Sequence, residues 1–205
     1  MQPKLIPVSV DDYLAGEARS PRKHEYVDGE IYAMDGASRR HNVIVGNLYA
    51  RAWNAASRTH NCQVFGADMK LYVESRNSFY YPDLSVCCDP TDRDERFLAR
   101  PCFIVEVLSP STASIDRREK RPSYETIPSL REYVIVEQDR MRVDVYRRQG
   151  ERWEVEVLFQ PNDVVRSSCL GLRLTLGDIY QGVDLPIGVA QPDLADDPMV
   201  WAALH

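Results

Sequence analysis

The residue that most constrains this chain is a glutamate inside an otherwise apolar run. Residues 103–108 read Phe-Ile-Val-Glu-Val-Leu, which is typical of a strand covered on both faces, and Glu106 stands inside it. A carboxylate is rarely buried without a partner, because removing its hydration costs several kcal/mol. Three explanations are open: an edge strand that turns Glu106 to solvent, a salt bridge to an arginine, or a functional site.

A second acid stands at the start of the preceding apolar strand. Asp83 follows Pro82 and leads into the apolar residues 84–88. Two neighbouring strands that each carry a carboxylate near the same end form an oxygen-rich cleft, which favours a hard divalent cation such as Mg²⁺ or Mn²⁺. Such a cation offsets the repulsion between the acids, stabilises charge on a phosphate and activates water.

A lysine in the charged segment 116–125 completes this set. Lys120 follows Glu106 in the chain, and an ammonium beside a scissile phosphate orients the attacking water and stabilises developing negative charge. The alternative is a solvated helix face, because Lys120 stands among arginines and glutamate. Pro122 breaks a continuous helix here unless it falls in the first turn.

The order of predicted elements indicates an α/β protein with a central mixed β-sheet flanked by helices and an N-terminal hairpin. Ser9 and Asp12 mark the start of a short helix, and Asp28-Gly29 predicts the hairpin turn. Apolar residues recur at helical spacing over residues 41–58, which should form the longest helix. Further strands are predicted over residues 63–73, 83–88, 103–108, 133–136, 143–146 and 153–159, and a short helix over 176–180.

Nothing in the sequence divides the chain into two domains. We find no internal repeat or linker, so residues 1–185 are predicted to form a single domain and the proline-containing residues 186–205 a tail. No apolar run approaches the roughly 18 residues of a membrane span. The N-terminus lacks the apolar core of a secretory signal, which predicts a cytoplasmic protein without a membrane partner.

Charge and cysteine content exclude further classes. A net charge of −6 excludes a basic nucleic-acid coat, although residues 117–121 supply a small basic patch. The five cysteines are odd in number and form no C-x-x-C pair, so we expect neither a zinc ribbon nor a disulfide framework. Cys87 and Cys88 fit the role of small buried hydrophobes in a strand.

The residues singled out above belong to a longer pattern. It reads Pro-Asp at 82–83, Ile-Val-Glu-Val-Leu-Ser-Pro-Ser-Thr at 104–112, Asp-Arg-Arg-Glu-Lys at 116–120, Tyr124, and Glu-Tyr-Val-Ile-Val at 132–136. Together with residues 24–31 and the helix beginning near His41, this pattern resembles the Uma-two-type family of proposed restriction endonucleases, which belongs to the PD-(D/E)XK nuclease superfamily. The resemblance covers residues 9–180, and residues 106–112 are its most specific part.

The resemblance implies a restriction-endonuclease-like fold and a metal site. In that family pattern Asp83 and Glu106 bind a divalent cation, Mg²⁺ with Mn²⁺ as a substitute. The main-chain carbonyl of Val107 is a further ligand in the same pattern.

The resemblance also assigns the lysine. The superfamily usually places a lysine two residues after the glutamate, where this chain has Leu108. The family is thought to have moved the lysine to the following helix, which points to Lys120, so the catalytic residues implied are Asp83, Glu106 and Lys120. Glu25, Glu30 and His41 are weaker candidates, the two glutamates because a hairpin surface also explains them, and the histidine because it can simply pack a helix start.

The leading hypothesis is therefore a Mg²⁺-dependent endonuclease that hydrolyses phosphodiester bonds of DNA. The alternative is a catalytically inactive nuclease-fold module that binds nucleic acid or protein, which the acidic net charge favours. A third reading is a structural or interaction protein in which Glu106 is bridged to an arginine. The sequence contains no zinc finger or helix-turn-helix to read bases, and a homodimer fits the leading hypothesis because nucleases that cut both strands are often paired.

Overall fold

The fold begins with a short helix. The structure, a computed structural model, describes residues 7–34, 36–59, 61–108 and 116–185. Helix α1 spans Val10–Glu17, and the side chain of Ser9 accepts a hydrogen bond from the Asp12 N–H. This cap satisfies one of the free N–H groups of the first turn, as the sequence predicts.

The predicted hairpin follows α1. Strand β1 (His24–Val27) pairs antiparallel with β2 (Glu30–Ala33) through a two-residue turn. Asp28 and Gly29 have φ angles of 45° and 98°, the positive values that such a turn requires. A Cβ on Gly29 would lie 2.6 Å from the Cβ of Pro7, so this position also needs glycine for space.

The predicted long helix is present and packs by one face. Helix α2 spans Arg39–Thr59, 21 residues, which makes it the longest helix among the described residues. The residues that it buries recur at helical spacing: Ile44, Leu48, Ala52 and Ala56.

A six-stranded mixed sheet forms the centre of the molecule, as predicted. Its strands are β3 (Gln63–Gly66), β6 (Leu84–Cys87), β8 (Phe103–Leu108), β9 (Glu132–Glu137), β10 (Val143–Gln149) and β11 (Arg152–Leu158). The spatial order is β11-β10-β9-β8-β6-β3, in which β8 and β9 are parallel and the other neighbours antiparallel. β8 is therefore an interior strand.

A second sheet corrects one prediction. Strands β4 (Lys70–Val73), β5 (Ser78–Tyr80) and β7 (Phe97–Leu98) join the hairpin in the order β2-β1-β5-β4-β7. The single strand predicted over residues 63–73 is wrong, because β3 and β4 belong to different sheets. The alternation of apolar residues continues through the turn between them, which the Met69 N–H closes by donating to the Gly66 carbonyl.

The charged segment after β8 is helical, but it is not one regular helix. A π-helical turn over Asp116–Lys120 is followed directly by α3 (Arg121–Tyr124). Pro122 lies in the first turn of α3. The N–H groups of a first turn have no partner within the helix, so a proline there costs no helical hydrogen bond. Residues 109–115, which include the Ser-Pro-Ser-Thr motif, lie outside the described residues.

The C-terminal part adds a hairpin that the sequence did not predict. Strands β12 (Val164–Ser167) and β13 (Leu172–Thr175) pair antiparallel. The predicted short helix follows as α4 (Leu176–Ile179), with a capping box between Thr175 and Asp178. The tail over residues 186–205 lies outside the described residues, and the domain boundary at residue 185 stays a prediction.

Both faces of the six-stranded sheet are covered. On one face α2 packs against β3, β6 and β8, and Leu48 belongs to the same apolar cluster as Val105 and Val134. On the other face Tyr124 and the loop after α3 pack in the cluster that contains Ile104 of β8 and Ile135 of β9. No helix among the described residues is long and apolar enough to cross a membrane.

The cysteines differ from expectation. The structure joins Cys62 to Cys88 and Cys102 to Cys169, whereas the sequence predicted no disulfide. β3 and β6 pair with Gln63 opposite Cys87, which sets Cys62 opposite Cys88. Strand pairing rather than sequence spacing creates this contact, so no cysteine motif is visible in the sequence. Cys87 is free and buried, in agreement with its predicted role as a small hydrophobe. The same prediction is wrong for Cys88, which is half-buried and bonded to Cys62.

Candidate active site

Two adjacent interior strands of the six-stranded sheet bring Asp83 and Glu106 together. β6 and β8 pair antiparallel with Leu84 opposite Val105. Asp83 directly precedes Leu84 and Glu106 directly follows Val105, so the next step of the ladder sets the two acids opposite each other. Opposed residues of an antiparallel pair point to the same face. The two acids are therefore neighbours across two strands.

The Asp83 carboxylate is held by two donors. Its Oδ2 accepts a hydrogen bond of 2.7 Å from the Val107 N–H and lies 3.1 Å from His41 Nε2. Its Oδ1 makes no hydrogen bond with the residues that the structure describes, and 14% of the side chain is exposed. As far as the described residues are concerned, this oxygen can serve a ligand. Val107 contacts Asp83 through its N–H. The role of the Val107 carbonyl as a metal ligand stays a prediction.

Glu106 is buried, which rules out the edge-strand explanation. Only 3% of the residue is exposed, and β8 lies between β6 and β9. Its Oε1 accepts a hydrogen bond of 2.8 Å from the Tyr124 hydroxyl and lies 3.4 Å from Lys120 Nζ. A lysine and a phenol therefore compensate part of the cost of burying this carboxylate.

Lys120 is buried as well, so the alternative reading of a solvated helix face is wrong. The residue is 6% exposed, and its Nζ lies 2.8 Å from Glu25 Oε1 as well as beside Glu106. The ammonium is also 5.9 Å from the centre of the Tyr80 ring, a cation–π contact. The π-helical turn directs Lys120 inward, and Pro122 does not turn it away from the acids.

The hairpin supplies one of its two candidate glutamates to this cluster. Glu25 on β1 has 13% of its side chain exposed and pairs with Lys120. Glu30 on β2 is exposed and accepts a hydrogen bond from the Tyr32 hydroxyl at the surface. Glu30 is opposite Val27 and therefore on the same face of the hairpin as Glu25, but β2 is the edge strand of its sheet and is exposed along its length. Only Glu25 reaches the interior.

Tyr124 is the member of the cluster to which the sequence assigned no role. It is 0% exposed, and burial, together with the negative charge of Glu106, raises its pKa well above the usual value. The hydroxyl therefore stays protonated and donates to Glu106. Tyr124 stands four residues after Lys120, and this helical spacing was the available signal that both side chains share a face.

His41, a weak candidate from the sequence, also lies in the cluster. It stands at the start of α2, where its N–H donates to the Ser38 side chain, and its Nε2 faces Asp83. Its Nδ1 is buried without a hydrogen-bond partner among the described residues. Leaving a buried polar atom unpaired costs about 1–3 kcal/mol, and such atoms often mark functional sites.

The oxygen ligands that Asp83 and Glu106 offer fit a hard divalent cation. Asp83 and Glu106 offer carboxylate oxygens from adjacent strands, and one Asp83 oxygen is not used by the described residues. Mg²⁺ and Mn²⁺ prefer oxygen ligands and keep several waters, so two carboxylates and a main-chain carbonyl suffice. The partial exposure of Asp83 leaves the site open to solvent on one side.

The chain also matches a protein-family model. The model described as "Uma2: Putative restriction endonuclease" matches residues 10–177. The chain belongs to the Uma2 family. Two uncharacterized proteins of Synechocystis sp. are similar to it: slr1290 is 36% identical over 88% of this chain and 94% of its own length, and sll1609 is 34% identical over 77% and 90%.

A solved structure shares the fold of this Uma2 protein. A crystal structure from Anabaena variabilis, described as a "putative nuclease belonging to DUF820", matches with a TM-score of 0.69 over 85% of this chain and 98% of that chain, at 20% identity. At this identity the match concerns the fold. Family and fold together are those of restriction-endonuclease-like nucleases.

Proposed function

We propose that this Uma2 protein is a Mg²⁺-dependent endonuclease that hydrolyses phosphodiester bonds of DNA. The observation that carries the proposal is the pair Asp83 and Glu106 on adjacent strands, with the Lys120 ammonium 3.4 Å from Glu106. Two neighbouring acids, together with the Lys120 ammonium held against one of them, provide the charges that phosphodiester hydrolysis requires.

In this proposal Asp83, Glu106 and the Val107 carbonyl hold the divalent cation. When bound, the cation supplies positive charge beside the scissile phosphate and lowers the pKa of a nearby water. The protein's own contribution is to fix the two carboxylates. Asp83 is held by the Val107 N–H and His41, and Glu106 by Tyr124 and Lys120. Rigid ligands lose little entropy when a cation binds.

Lys120 keeps a positive charge next to the acids. Because Glu25 and Glu106 both contact its Nζ, the side chain is held in one orientation. An ammonium fixed in a site with little water stabilises the negative charge that develops on the phosphate more strongly than one in solvent. Lys120 is therefore proposed to orient the attacking water and to stabilise the transition state.

The decisive experiment is a nuclease assay on the purified full chain. Supercoiled plasmid and single-stranded DNA are incubated with Mg²⁺ or Mn²⁺ at several salt concentrations. We expect nicking or cleavage that is abolished in Asp83→Asn and in Glu106→Gln, and retained in Glu30→Gln, which removes an exposed carboxylate on β2. Intact DNA under all these conditions would argue strongly against the proposal.

The second candidate is a catalytically inactive module of the same fold that binds nucleic acid or protein. The net charge of −6 favours it, since duplex binders gain affinity by neutralising phosphates with basic side chains. Calorimetry with Mn²⁺ separates the two. The nuclease should bind Mn²⁺ and lose that binding in Asp83→Ala, whereas the inactive module should bind weakly or not at all, without change in the variant.

A further inference from the structure

Four of the five cysteines meet at the end of β6 and β8 that is remote from the acids. Cys88 follows β6 and Cys102 precedes β8, whereas Asp83 and Glu106 lie at the other end of the same two strands. Cys62 joins them from the start of β3 and Cys169 from the loop between β12 and β13. Four separate segments of the chain therefore each contribute one thiol to a single point.

The sulfur atoms form one cluster rather than two separate links. Besides the pairs Cys62–Cys88 and Cys102–Cys169, the sulfurs of Cys88 and Cys102 are 3.5 Å apart. The sulfurs of Cys88, Cys102 and Cys169 all lie within 4.8 Å of one another. A tetrahedral Zn²⁺ site has Zn–S distances of about 2.3 Å, which sets neighbouring sulfurs about 3.8 Å apart. The sulfurs of Cys88, Cys102 and Cys169 are thus already near that spacing, and the Cys62 sulfur, which is bonded to Cys88, must separate from it on reduction to become the fourth ligand.

The surroundings of the cluster suit a negatively charged metal centre. The Ser167 hydroxyl lies 3.5 Å from the Cys169 sulfur and donates to Glu132 Oε2 at 3.3 Å, so it would have to turn from Glu132 to donate to a thiolate. Cys88, Cys102 and Cys169 line a cleft of about 460 Å³ that also contains Arg100 and Arg131. The cleft gives a cation a path to the sulfurs. Four thiolates around one divalent ion carry two net negative charges. Arg131 offsets part of this charge, whereas Arg100 pairs with Asp89 in the same cleft.

We propose that Cys62, Cys88, Cys102 and Cys169, in the reduced protein, bind one soft divalent cation of the Zn²⁺ type. The site is structural, because all four positions are occupied by protein ligands, and it links three strands of the central sheet to the β12–β13 hairpin. The disulfides of the structure are the oxidised form of the same cluster. A phosphine reductant delivers two electrons to each disulfide, four protons from water give four thiols, and metal binding then releases these protons.

The test uses the full chain, reduced with a phosphine, freed of metal with a chelator and titrated with Co²⁺ in the absence of oxygen. We expect one Co²⁺ per chain, an intense thiolate-to-cobalt charge-transfer band, and loss of that band when Zn²⁺ is added. Zn²⁺ should also raise the thermal unfolding temperature of the reduced protein. These readouts come from the wild-type chain, so they do not depend on whether any variant folds.

Matched cysteine variants locate the site. Cys102→Ser and Cys169→Ser should lose the charge-transfer band, and Cys87→Ser should keep it. Cys87 is adjacent to Cys88 in sequence, but its sulfur contacts the carbonyls of Asp89 and Arg100 instead of the cluster. Asp83→Asn should also keep the band, because its carboxylate lies at the other end of β6, which separates this site from the proposed nuclease centre.

Three results would overturn the proposal. The first is a reduced, folded wild-type chain that gives no thiolate band. The second is a band that persists in Cys102→Ser and Cys169→Ser. The third is a pair of disulfides that survives reduction while the chain takes up no Zn²⁺, which would make the cluster a pair of covalent cross-links only.

Discussion

Glu25 on the N-terminal hairpin and Lys120 on the segment after β8 form a buried ion pair, with 2.8 Å between Oε1 and Nζ. Only 13% and 7% of the two side chains are exposed. The pair connects the smaller sheet to the segment that follows the central strand, and it holds the ammonium beside Glu106. The proposed active site is thus held by charges from both sheets.

Removal of this ammonium should strongly destabilise the protein. Lys120→Met leaves the buried carboxylates of Glu25 and Glu106 without this cation, and breaking a buried pair typically costs about 3–5 kcal/mol. Urea denaturation should show a lower midpoint at an unchanged slope.

The matched control for this variant is Lys23→Met. Lys23 pairs with Asp68, but their side chains are 40% and 95% exposed, so the loss should be below about 1 kcal/mol. Equal destabilisation by the two variants would show that the Lys120 pair behaves like a surface contact.

The Tyr124 hydroxyl should contribute measurably to stability. Tyr124→Phe removes the 2.8 Å hydrogen bond to the buried Glu106, and a bond to a charged acceptor is worth about 1.5–3 kcal/mol. Tyr32→Phe removes a tyrosine–glutamate bond to Glu30 at the surface, where 48% of Tyr32 is exposed, and should change the free energy of unfolding little. An unchanged free energy of unfolding in Tyr124→Phe would contradict this role of the hydroxyl.

His41 should support metal binding through Asp83. His41→Ala removes the ring that lies 3.1 Å from Asp83 Oδ2, and loss of a group that orients a ligand typically lowers metal affinity about 10–100-fold. Calorimetric titration with Mn²⁺ measures this. The control is His24→Ala. The His24 ring also contacts a carboxylate, with 3.0 Å between its Nδ1 and Glu17 Oε2, but His24 belongs to β1 of the hairpin. Unchanged Mn²⁺ affinity in His41→Ala would count against the role.

Stability should fall in alkaline solution. Burial, as the largest cause, raises the pKa of six tyrosines above the usual value of 10.0: Tyr13, Tyr72, Tyr80, Tyr81, Tyr124 and Tyr180. The unfolded chain therefore releases these protons first, so the free energy of unfolding should decrease as the pH rises above about 10. Denaturation at about pH 8 and about pH 11 tests this. Tyr81→Phe should show a smaller decrease, and identical stability at both pH values would refute the prediction.

The local elements that the sequence predicted are those with local causes. The Ser9 cap, the Asp28-Gly29 turn and the apolar stripe of α2 each depend on residues a few positions apart, and all are present. Asp83 and Glu106 could also be identified from the sequence, because a charged residue inside an apolar run is evident without the structure.

What the sequence could not show depends on contacts between distant segments. The burial of Lys120 requires Glu25 from the hairpin, and the cysteine cluster requires four segments with no common spacing. The split of residues 63–73 into two sheets has a similar origin, since alternation alone does not reveal a turn within an amphipathic run. In each case contacts between distant segments determine the structure, whereas the local sequence pattern is compatible with more than one structure.

The assembly of the acid cluster from both sheets limits how this protein can be shortened or rearranged. A fragment that starts after the hairpin keeps residues 83–120 but loses Glu25, which pairs with Lys120, and so changes the charge at the centre of the cluster. A circular permutant opened at Gly150, in the tight turn between β10 and β11, would instead preserve every member of the cluster. Minimal or permuted versions should therefore retain residues 24–33 and accept new termini at the β10–β11 turn.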